Sequence, residues 1–416
     1  MSEKVYVLGV GMTKFGKFLE KSMKKFAGEA LELVLKDSGL TKEKIEAAWF
    51  SNSGWGMRDN QHCIRGQVAL SANGLEEIPM INVENACAGG STAFHGAWTA
   101  IKAGLYDCAL AIGVEKVYHE DRKLMMRSFI TGTDVEKTTK LIEDLKKIAA
   151  MKKKRIEKEK GIQEKKNSKE DYSAFMDLYA AAARSHMKKY GTTQKHLAII
   201  AAKNHNNSVL NPLAQYNFPM TVDEVMNDYL VAYPLTRSMC APIGDGAAAA
   251  ILISERFLKE NFNERAVFIR ASVLQSGSWR KDTISRRAAN AAYKMSGLKP
   301  ENINVVEVHD ATAFGELHQI EEIGFCPIGQ GGPFSETGAT ALDGKIPVNT
   351  SGGLISRGHP IGASGLAQIY ELVTQLRGEA GKRQVKDPKI ALAENGGGNI
   401  GPGEAAMCIH ILEKTK

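Results

Sequence analysis

The chain has 416 residues, of which 43% are hydrophobic and 24% are charged, the usual balance of a soluble globular protein. This length predicts two or three domain-sized units, each able to bury a core. Lys and Arg outnumber Asp and Glu by 54 to 47, a net charge of +7. Residues 136–170 carry +6 of it, with twelve Lys, one Arg and seven acids. A generally basic surface that coats nucleic acid is therefore excluded.

Membrane and secretory signals are missing from the sequence. No run approaches 18 uninterrupted apolar residues, and the apolar run Val5–Val10 reads as an early strand rather than a signal peptide. The last residues match no peroxisomal address. The cysteines show no CxxC pairing, which argues against zinc and disulfides and leads us to expect a reducing, cytoplasmic setting. They are Cys63, Cys87, Cys108, Cys240, Cys326 and Cys408.

Two stretches of the chain resemble each other at an offset of 258 residues. Ser38–Leu40 precedes the apolar run Ala47–Phe50, and Ser296–Leu298 precedes Val305–Val308 in the same way. Each stretch reads as a helix, a Gly cap, a short turn and a buried strand. We interpret this as a duplication of two α/β halves with mixed sheets, the alternative being chance similarity of two ordinary units. Both halves end in β-like runs, at Ala247–Ile253 and Glu404–Leu412.

Asn85–Ser91 contains the first candidate for chemistry. It follows the strand-like Met80–Val83 and precedes a helical run through Ile101. A cysteine at such a turn lies near free N–H groups and the helix dipole, which favour a thiolate. Cys87 is therefore a candidate nucleophile, and a buried, inert cysteine is the alternative.

Residues 117–235 interrupt the α/β alternation. Their Lys-rich part, 136–170, is mostly helix-forming. It is interpreted either as a solvated helix pair or as a cationic lid near an anionic ligand. Tyr172–Asn207 predicts helix, followed by an irregular stretch around Asn211–Pro219.

Two histidines in the second half occupy informative positions. His309 follows a buried strand, where an α/β sheet places ligand-facing groups. His359 lies between glycines and Pro360, immediately before the predicted helix Leu366–Leu376. The density of Gly there implies close backbone approach, although a turn histidine can also be simply solvated.

Ala393–Gly401 is a further candidate segment, predicted as a Gly-rich turn between two β-like runs. It lacks the Gly-Lys-Ser/Thr ending of a phosphate-binding loop. Cys87 with two histidines is the set of groups needed by an acyl-thioester enzyme. One histidine would take the thiol proton, and the other, or a water that it orients, would bind an oxyanion. A cysteine protease uses similar groups, so this chemistry alone leaves the class open.

At this point the chain resembles the thiolases, and most of all their sterol-carrier-protein-type branch. The resemblance covers nearly the whole chain apart from the Lys-rich insert. Agreement of several motifs in order removes the protease interpretation. The motifs are Gly9–Gly16, the Cys87 segment, Pro242–Ala247, His309-Asp310 and Gly358–Pro360.

The resemblance implies a duplicated α/β fold with five layers, αβαβα, and an inserted loop domain. It places the N-terminal half at 1–116 and 236–257, the loop domain at 117–235 and the C-terminal half at 258–416. It also implies a homodimer that acts on acyl-CoA, with coenzyme A as co-substrate and no permanently bound cofactor or metal. A small OB-fold, zinc-ribbon subunit is an expected partner, whereas nucleic acid and membranes are not.

By resemblance, Cys87 takes the acyl group, His359 activates it and His309 helps to form an oxyanion hole. A second oxyanion hole is expected from the Cys87 amide and the turn at Gly396 and Gly397. Coenzyme A is expected at Ser351 and Gly352.

One family feature is missing. Most thiolases carry a second cysteine as acid/base, either in a C-terminal Cys-x-Gly motif or in a His-Asp-Cys-Phe motif. This chain has Glu394 and Ala311 at those places. Glu394 could replace the cysteine, since desolvation can raise a carboxyl pKa toward neutrality. It could equally be an ordinary turn or salt-bridge residue.

Three functions follow. The leading hypothesis is a thiolase that cleaves a 3-oxoacyl-CoA through acyl-Cys87, with a bulky or aromatic substrate such as benzoylsuccinyl-CoA. The others are a thiolase-fold retro-aldolase and a non-catalytic acyl-CoA-binding scaffold. The cationic segment 136–170 is expected either to steer the phosphates of coenzyme A or to dock the small subunit.

Overall fold

The structure is a computed structural model that describes residues 3–121, 124–125, 129–140, 174–261, 263–280 and 283–415. Most of the Lys-rich insert, and the hypotheses attached to it, therefore lie outside the described residues. The strands are β1 (Val5–Met12), β2 (Ala47–Ser51), β3 (Met80–Val83), β4 (Cys108–Glu115), β5 (Leu230–Ala232), β6 (Leu235–Thr236), β7 (Gly246–Ser254), β8 (Val267–Ser276), β9 (Val305–Glu307), β10 (Ile390–Gly397) and β11 (Ala406–Lys414).

The helices alternate with these strands in both halves, as the sequence predicted. They are α1 (Met23–Ser38), α2 (Trp55–Asp59), α3 (Arg65–Ser71), α4 (Gly89–Lys102), α5 (Ala174–Tyr190), α6 (Gln194–Val209), α7 (Val222–Met226), α8 (Glu255–Glu260), α9 (Ile284–Ser296), α10 (Ala313–Glu322), α11 (Gly331–Glu336), α12 (Gly353–Arg357) and α13 (Ser364–Arg377).

The strand pairing repeats between the halves. In the order β3-β2-β4-β7-β1, the first two pairings are parallel and the last two antiparallel. The second half runs from a parallel bridge at Val348 through β9, β10, β11 and β8 with the same sequence of pairings. Two residue pairs between β1 and β8 connect the strands of the first half to those of the second half. The two halves of the sheet, which were expected to be separate, are therefore continuous, with nine strands in all. The duplication is thus visible in the topology.

The repeated helix caps have the same geometry. α1 ends at Gly39 with φ 72°, and α9 ends at Gly297 with φ 70°, a left-handed conformation that glycine adopts without steric cost. In each cap the last serine of the helix, Ser38 or Ser296, accepts a hydrogen bond from the amide two residues later. The shared Ser-Gly-Leu pattern therefore encodes the same helix C-cap in both halves.

Alternation along the strands produces the layers. In β4, Leu110 packs toward α1 and α3, whereas Ala111 packs toward α4 and α13. In β10, Leu392 packs toward α9 and α10, whereas Ala393 joins the same central helices. The layers are, in order, outer helices, the strands of the first half, the central helices, the strands of the second half, and outer helices. The predicted αβαβα arrangement is therefore confirmed.

The described part of the interrupting region packs on the second half. α5 and α6, separated by residues 191–193, form an apolar cluster with α10 and with Ile355 of α12. Asn204 of α6 donates to the Asp310 carboxylate at 2.8 Å, and Asn211 donates to the Ser351 carbonyl at 2.9 Å. These contacts place α5 and α6 beside both histidine segments. The domain boundaries themselves stay a prediction.

Within the part of the chain that the structure describes, no helix is both long and apolar enough to cross a membrane.

Candidate active site

Cys87 lies in the tight turn between β3 and α4. Ala86 has a left-handed φ of 47°, and the amides of Ala88 and Gly89 donate back to the carbonyls of Asn85 and Ala86, both at 3.0 Å. The turn holds Cys87, which is partly buried, immediately before the first turn of α4.

His359 contacts the sulfur directly. Its Nε2 lies 3.2 Å from Cys87 Sγ, and its Nδ1 lies 2.7 Å from Ser364 Oγ. The Ser364 hydroxyl donates to the Pro360 carbonyl at 2.9 Å, so it accepts from Nδ1 when all three bonds are made. The proton then sits on Nδ1, and the lone pair of Nε2 faces the thiol. This is the arrangement that a general base requires.

Burial opposes the thiolate form of Cys87 that the helix end favours. Burial raises the pKa of the Cys87 thiol to about 12, and the charges of Glu115 and Glu84 raise it further, against a hydrogen bond from the Gly398 amide. Burial, with His309 and Arg357 nearby, also holds the pKa of His359 well below its usual value. Desolvation outweighs the short-range effect of the helix end, so the resting pair is a neutral thiol and a neutral imidazole.

His309 follows β9 and points into the same space. Its Nδ1 accepts from Asn395 Nδ2 at 3.0 Å, which leaves the ring proton on Nε2. Burial, with the charge of Arg357, lowers the pKa of His309 to about 4. Its ring meets that of His359 edge-on, with centroids 5.2 Å apart. His309 is thus a neutral hydrogen-bond donor beside the nucleophile, as an oxyanion hole needs.

Ligand-capable atoms of Cys87, His309 and His359 all lie within 4.8 Å of one another. The sequence spacing predicted no metal site, and only the fold brings these three residues together. One sulfur and two nitrogens could hold a metal ion. The thiol–imidazole hydrogen bond and the fixed tautomers account for the cluster as an acid–base unit, and the expected absence of a resident metal stays a prediction.

The Gly-rich segment was predicted as a turn, and this was wrong for its first part. Gly396 and Gly397 are the last two residues of β10, paired with β11, and the turn begins at Gly398. The amide that hydrogen-bonds to the Cys87 sulfur belongs to Gly398. The second oxyanion hole stays a prediction, with the amide of Gly398 as a candidate beside that of Cys87.

Glu394 lies in the middle of β10. One carboxylate oxygen accepts the backbone N–H of His309 at 2.8 Å, and the other is buried with no hydrogen-bond partner. Burial raises the pKa of Glu394 well above its ordinary value, and the carboxylates of Glu404 and Asp310 add to the shift. Glu394 therefore supports the backbone of His309.

The structure does not support coenzyme A binding at Ser351 and Gly352. Ser351 is fully buried, and both its amide and its hydroxyl donate to the Glu307 carboxylate, at 3.0 and 2.6 Å. Gly352 is the residue that caps α12, and a side chain there would clash with Ser208. Both positions serve the packing of α12 beneath the site.

Sequence reasoning missed two residues that set the protonation of the histidines. Asn395 orients His309, and alternation along β10 could have revealed it had the segment been predicted as strand. Arg357 is fully buried, and its charge lowers the pKa of both His309 and His359. Nothing local in the sequence marks Arg357, because its burial depends on long-range packing.

The raised thiol pKa has a measurable consequence. With a pKa of about 12, the thiolate fraction of Cys87 at pH 8 is on the order of 10⁻⁴ and grows about tenfold per pH unit. We expect iodoacetamide to alkylate Cys87 slowly at pH 7 and about tenfold faster with each unit up to pH 10. Peptide mass spectrometry separates Cys87 from the exposed Cys63. A rate that levels off by pH 8 would contradict a buried, neutral thiol.

Comparison with known protein families shows to which family the chain belongs. The sequence model described as "Thiolase, N-terminal domain" matches residues 5–256, and "Thiolase C-terminal domain-like" matches residues 270–413. The chain therefore belongs to the thiolase superfamily. Within it, the relatives place the chain on the sterol-carrier-protein-type branch, as a thiolase-type acyltransferase of acyl-CoA metabolism.

Three relatives illustrate the similarity. Acetyl-CoA acetyltransferase of Methanothermobacter thermautotrophicus is 37% identical over 99% of both chains. Sterol carrier protein 2 of Bos taurus is 38% identical over 98% of this chain and 72% of its own length. Benzoylsuccinyl-CoA thiolase subunit BbsB of Thauera aromatica is 33% identical over 96% of both chains.

Solved structures share the fold at low sequence identity. The Ltp2-ChsH2(DUF35) aldolase superposes with a TM-score of 0.75 at 19% identity, covering 99% of this chain and 98% of the other. Human mitochondrial 3-ketoacyl-CoA thiolase in complex with CoA gives 0.69 at 15% identity, covering 100% and 98%.

Proposed function

We propose that this protein cleaves a 3-oxoacyl-CoA with coenzyme A through an acyl-Cys87 intermediate. The observation that carries the proposal is the 3.2 Å contact between Cys87 Sγ and the unprotonated Nε2 of His359. It pairs a nucleophile with its base, and His309 stands beside them as a neutral donor. The acyl-CoA enzymes among the relatives agree with this chemistry.

In the proposed reaction, Cys87 gives its proton to His359 as its sulfur attacks the 3-oxo carbon. The C2–C3 bond breaks, the acyl group stays on Cys87, and the electron pair becomes an enolate on the leaving thioester. The Nε2–H of His309 stabilises the enolate oxygen. The amides of Cys87 and Gly398 stabilise the tetrahedral oxyanions of acyl transfer. Desolvation of the site favours these reaction steps, because it strengthens each of these hydrogen bonds.

The acyl group in this proposal is bulky or aromatic. A cavity of about 500 Å³ adjoins Gly398, and its walls include Tyr179, Tyr190 and Phe314. Aromatic walls favour a large apolar acyl group over an acetyl group. The name of the relative from Thauera aromatica, with its aromatic acyl-CoA, supports the same class.

The assembly in this proposal is a cytoplasmic homodimer that also binds a small OB-fold, zinc-ribbon subunit, which would hold any zinc. The relative from Thauera aromatica is named as a subunit, and the aldolase of similar fold combines two proteins, one of them of the DUF35 type. These names support a heteromeric complex.

A thiolase-fold retro-aldolase is the second candidate, favoured by the TM-score of 0.75 to the aldolase. A retro-aldol cleavage needs no acyl-cysteine. The direct hydrogen bond of Cys87 to His359 is therefore the feature that separates the two functions. The same pairing argues against a non-catalytic scaffold.

Trapping the acyl-enzyme tests the proposal. The protein, with and without a small OB-fold, zinc-ribbon subunit, is mixed with a panel of 3-oxoacyl-CoA substrates that includes aromatic ones, and then quenched and digested. We expect an added acyl mass on the Cys87 peptide, about one acetyl-CoA released per protein without coenzyme A, and continued turnover only when coenzyme A is present. Carbon–carbon cleavage that leaves Cys87 unmodified would support the aldolase instead, and binding without cleavage would support the scaffold.

A further inference from the structure

Thiolytic cleavage needs one more group than the site has so far provided. Something must protonate C2 of the departing enolate and then take the proton of coenzyme A. Glu394 is poorly placed for this, because one oxygen is bound to the His309 amide and the other is enclosed. Glu394 is therefore a positioning residue for His309.

Glu404 lies in the turn between β10 and β11 and lines the same cavity as Gly398, whose amide contacts the Cys87 sulfur. The fold makes room for this side chain. A Cβ on Gly396 would lie 2.9 Å from the Glu404 Cγ, closer than real Cβ atoms approach. Glycine at 396 thus leaves room for the Glu404 side chain against the end of β10, in the cavity that Gly398 also lines.

Glu404 has a polar neighbour in this cavity, and a phenol lines the same wall. Gln319 of α10 donates to the Glu404 carboxyl at 3.4 Å, and Tyr179 of α5 lines the wall. Burial raises the pKa of Tyr179 well above its ordinary value, and Glu404, Cys87 and Glu394, when ionised, add to the shift. The phenol therefore stays a neutral donor, and Glu404 and Cys87 both lie within its electrostatic reach.

We propose that Glu404 is the acid/base that replaces the second cysteine of other thiolases, an assignment that rests on the proposed function. As the C2–C3 bond breaks, the protonated carboxyl of Glu404 gives its proton to C2 and releases acetyl-CoA. The resulting carboxylate takes the S–H proton of coenzyme A, whose sulfur attacks the acyl carbon. Cys87 leaves and recovers its proton from His359. Protons and electron pairs balance, and Glu404 ends protonated as it began.

The test separates proton transfer by Glu404 from the integrity of the nucleophile. Glu404→Gln in the full chain is compared with wild type for exchange of the C2 protons of acetyl-CoA with deuterium, for 3-oxoacyl-CoA cleavage, and for alkylation of Cys87 by iodoacetamide at pH 9. We expect exchange and cleavage to fall about 10²- to 10⁴-fold, the usual contribution of a general acid–base. Alkylation, which needs Cys87 but no proton from Glu404, should stay within about threefold of wild type and so shows that the nucleophile and the fold are intact.

Matched variants sharpen the test. Glu404→Asp keeps the carboxyl group and should recover part of the exchange. Glu394→Gln keeps an oxygen to accept the His309 amide and should lower the exchange rate at least tenfold less than Glu404→Gln does. Undiminished exchange in Glu404→Gln, or loss of Cys87 alkylation together with exchange, would overturn the assignment. Failure of the proposed function would appear differently, as an unacylated Cys87 in the wild-type protein.

Discussion

Replacing Cys87 with alanine is expected to lower kcat/KM for 3-oxoacyl-CoA cleavage by about 10⁴- to 10⁶-fold, the range seen when a covalent nucleophile is removed. The variant should still bind acyl-CoA, because the remaining walls of the site are unchanged. The activity falls only because the bond between sulfur and the acyl carbon cannot form, since His359 keeps its Ser364 partner and its tautomer. Coupled measurement of acetyl-CoA release gives the rate, and a thermal melt confirms folding.

Cys63→Ala is the matched control, because Cys63 is exposed and the substitution removes the same thiol group. It should retain full activity. A Cys87→Ala protein that still cleaves carbon–carbon bonds at the wild-type rate would exclude the acyl-enzyme route. It would leave the retro-aldolase as the function.

Replacing Glu307 with alanine is expected to lower the free energy of unfolding by about 3–5 kcal/mol, the cost of removing one partner of a buried ion pair. Glu307 and Arg357 have no exposed surface, and their nearest charged atoms lie 3.0 Å apart. Two other guanidinium nitrogens of Arg357 already have no hydrogen-bond partner. Loss of the carboxylate would leave the cation buried and also free both hydrogen-bond donors of Ser351.

Urea denaturation with a fixed probe measures this change. Glu307→Gln should be less costly, since it keeps one acceptor oxygen while removing the charge. Glu301→Ala provides the control, because Glu301 is 68% exposed and pairs only at the surface, so the effect should stay within about 0.5 kcal/mol. A loss below about 1 kcal/mol in Glu307→Ala would show that the buried pair is not what stabilises this region.

Local features of the fold, such as helix caps and strand ends, could be predicted from the sequence. Ser38–Leu40 and Ser296–Leu298 predicted two equal helix caps, and both have the same left-handed glycine and serine contacts. The strand at Met80–Val83 was predicted with its observed ends. The segment at Ala393–Gly401 was misread, because its glycines resemble a turn although residues up to Gly397 pair in the sheet. Tertiary pairing outweighed the local preference there.

The sequence by itself determined the duplicated α/β fold and the identities of Cys87, His309 and His359, because these follow from local patterns and from motifs in a fixed order. Only the tertiary structure showed which way the pKa values of those residues shift, that the amide of Gly398 and the charge of Arg357 act on them, and that Glu404 lines the adjoining cavity. Protonation depends on desolvation and on charges from distant segments. Such terms arise when the halves and the interrupting region pack together, and no window of neighbouring residues contains them.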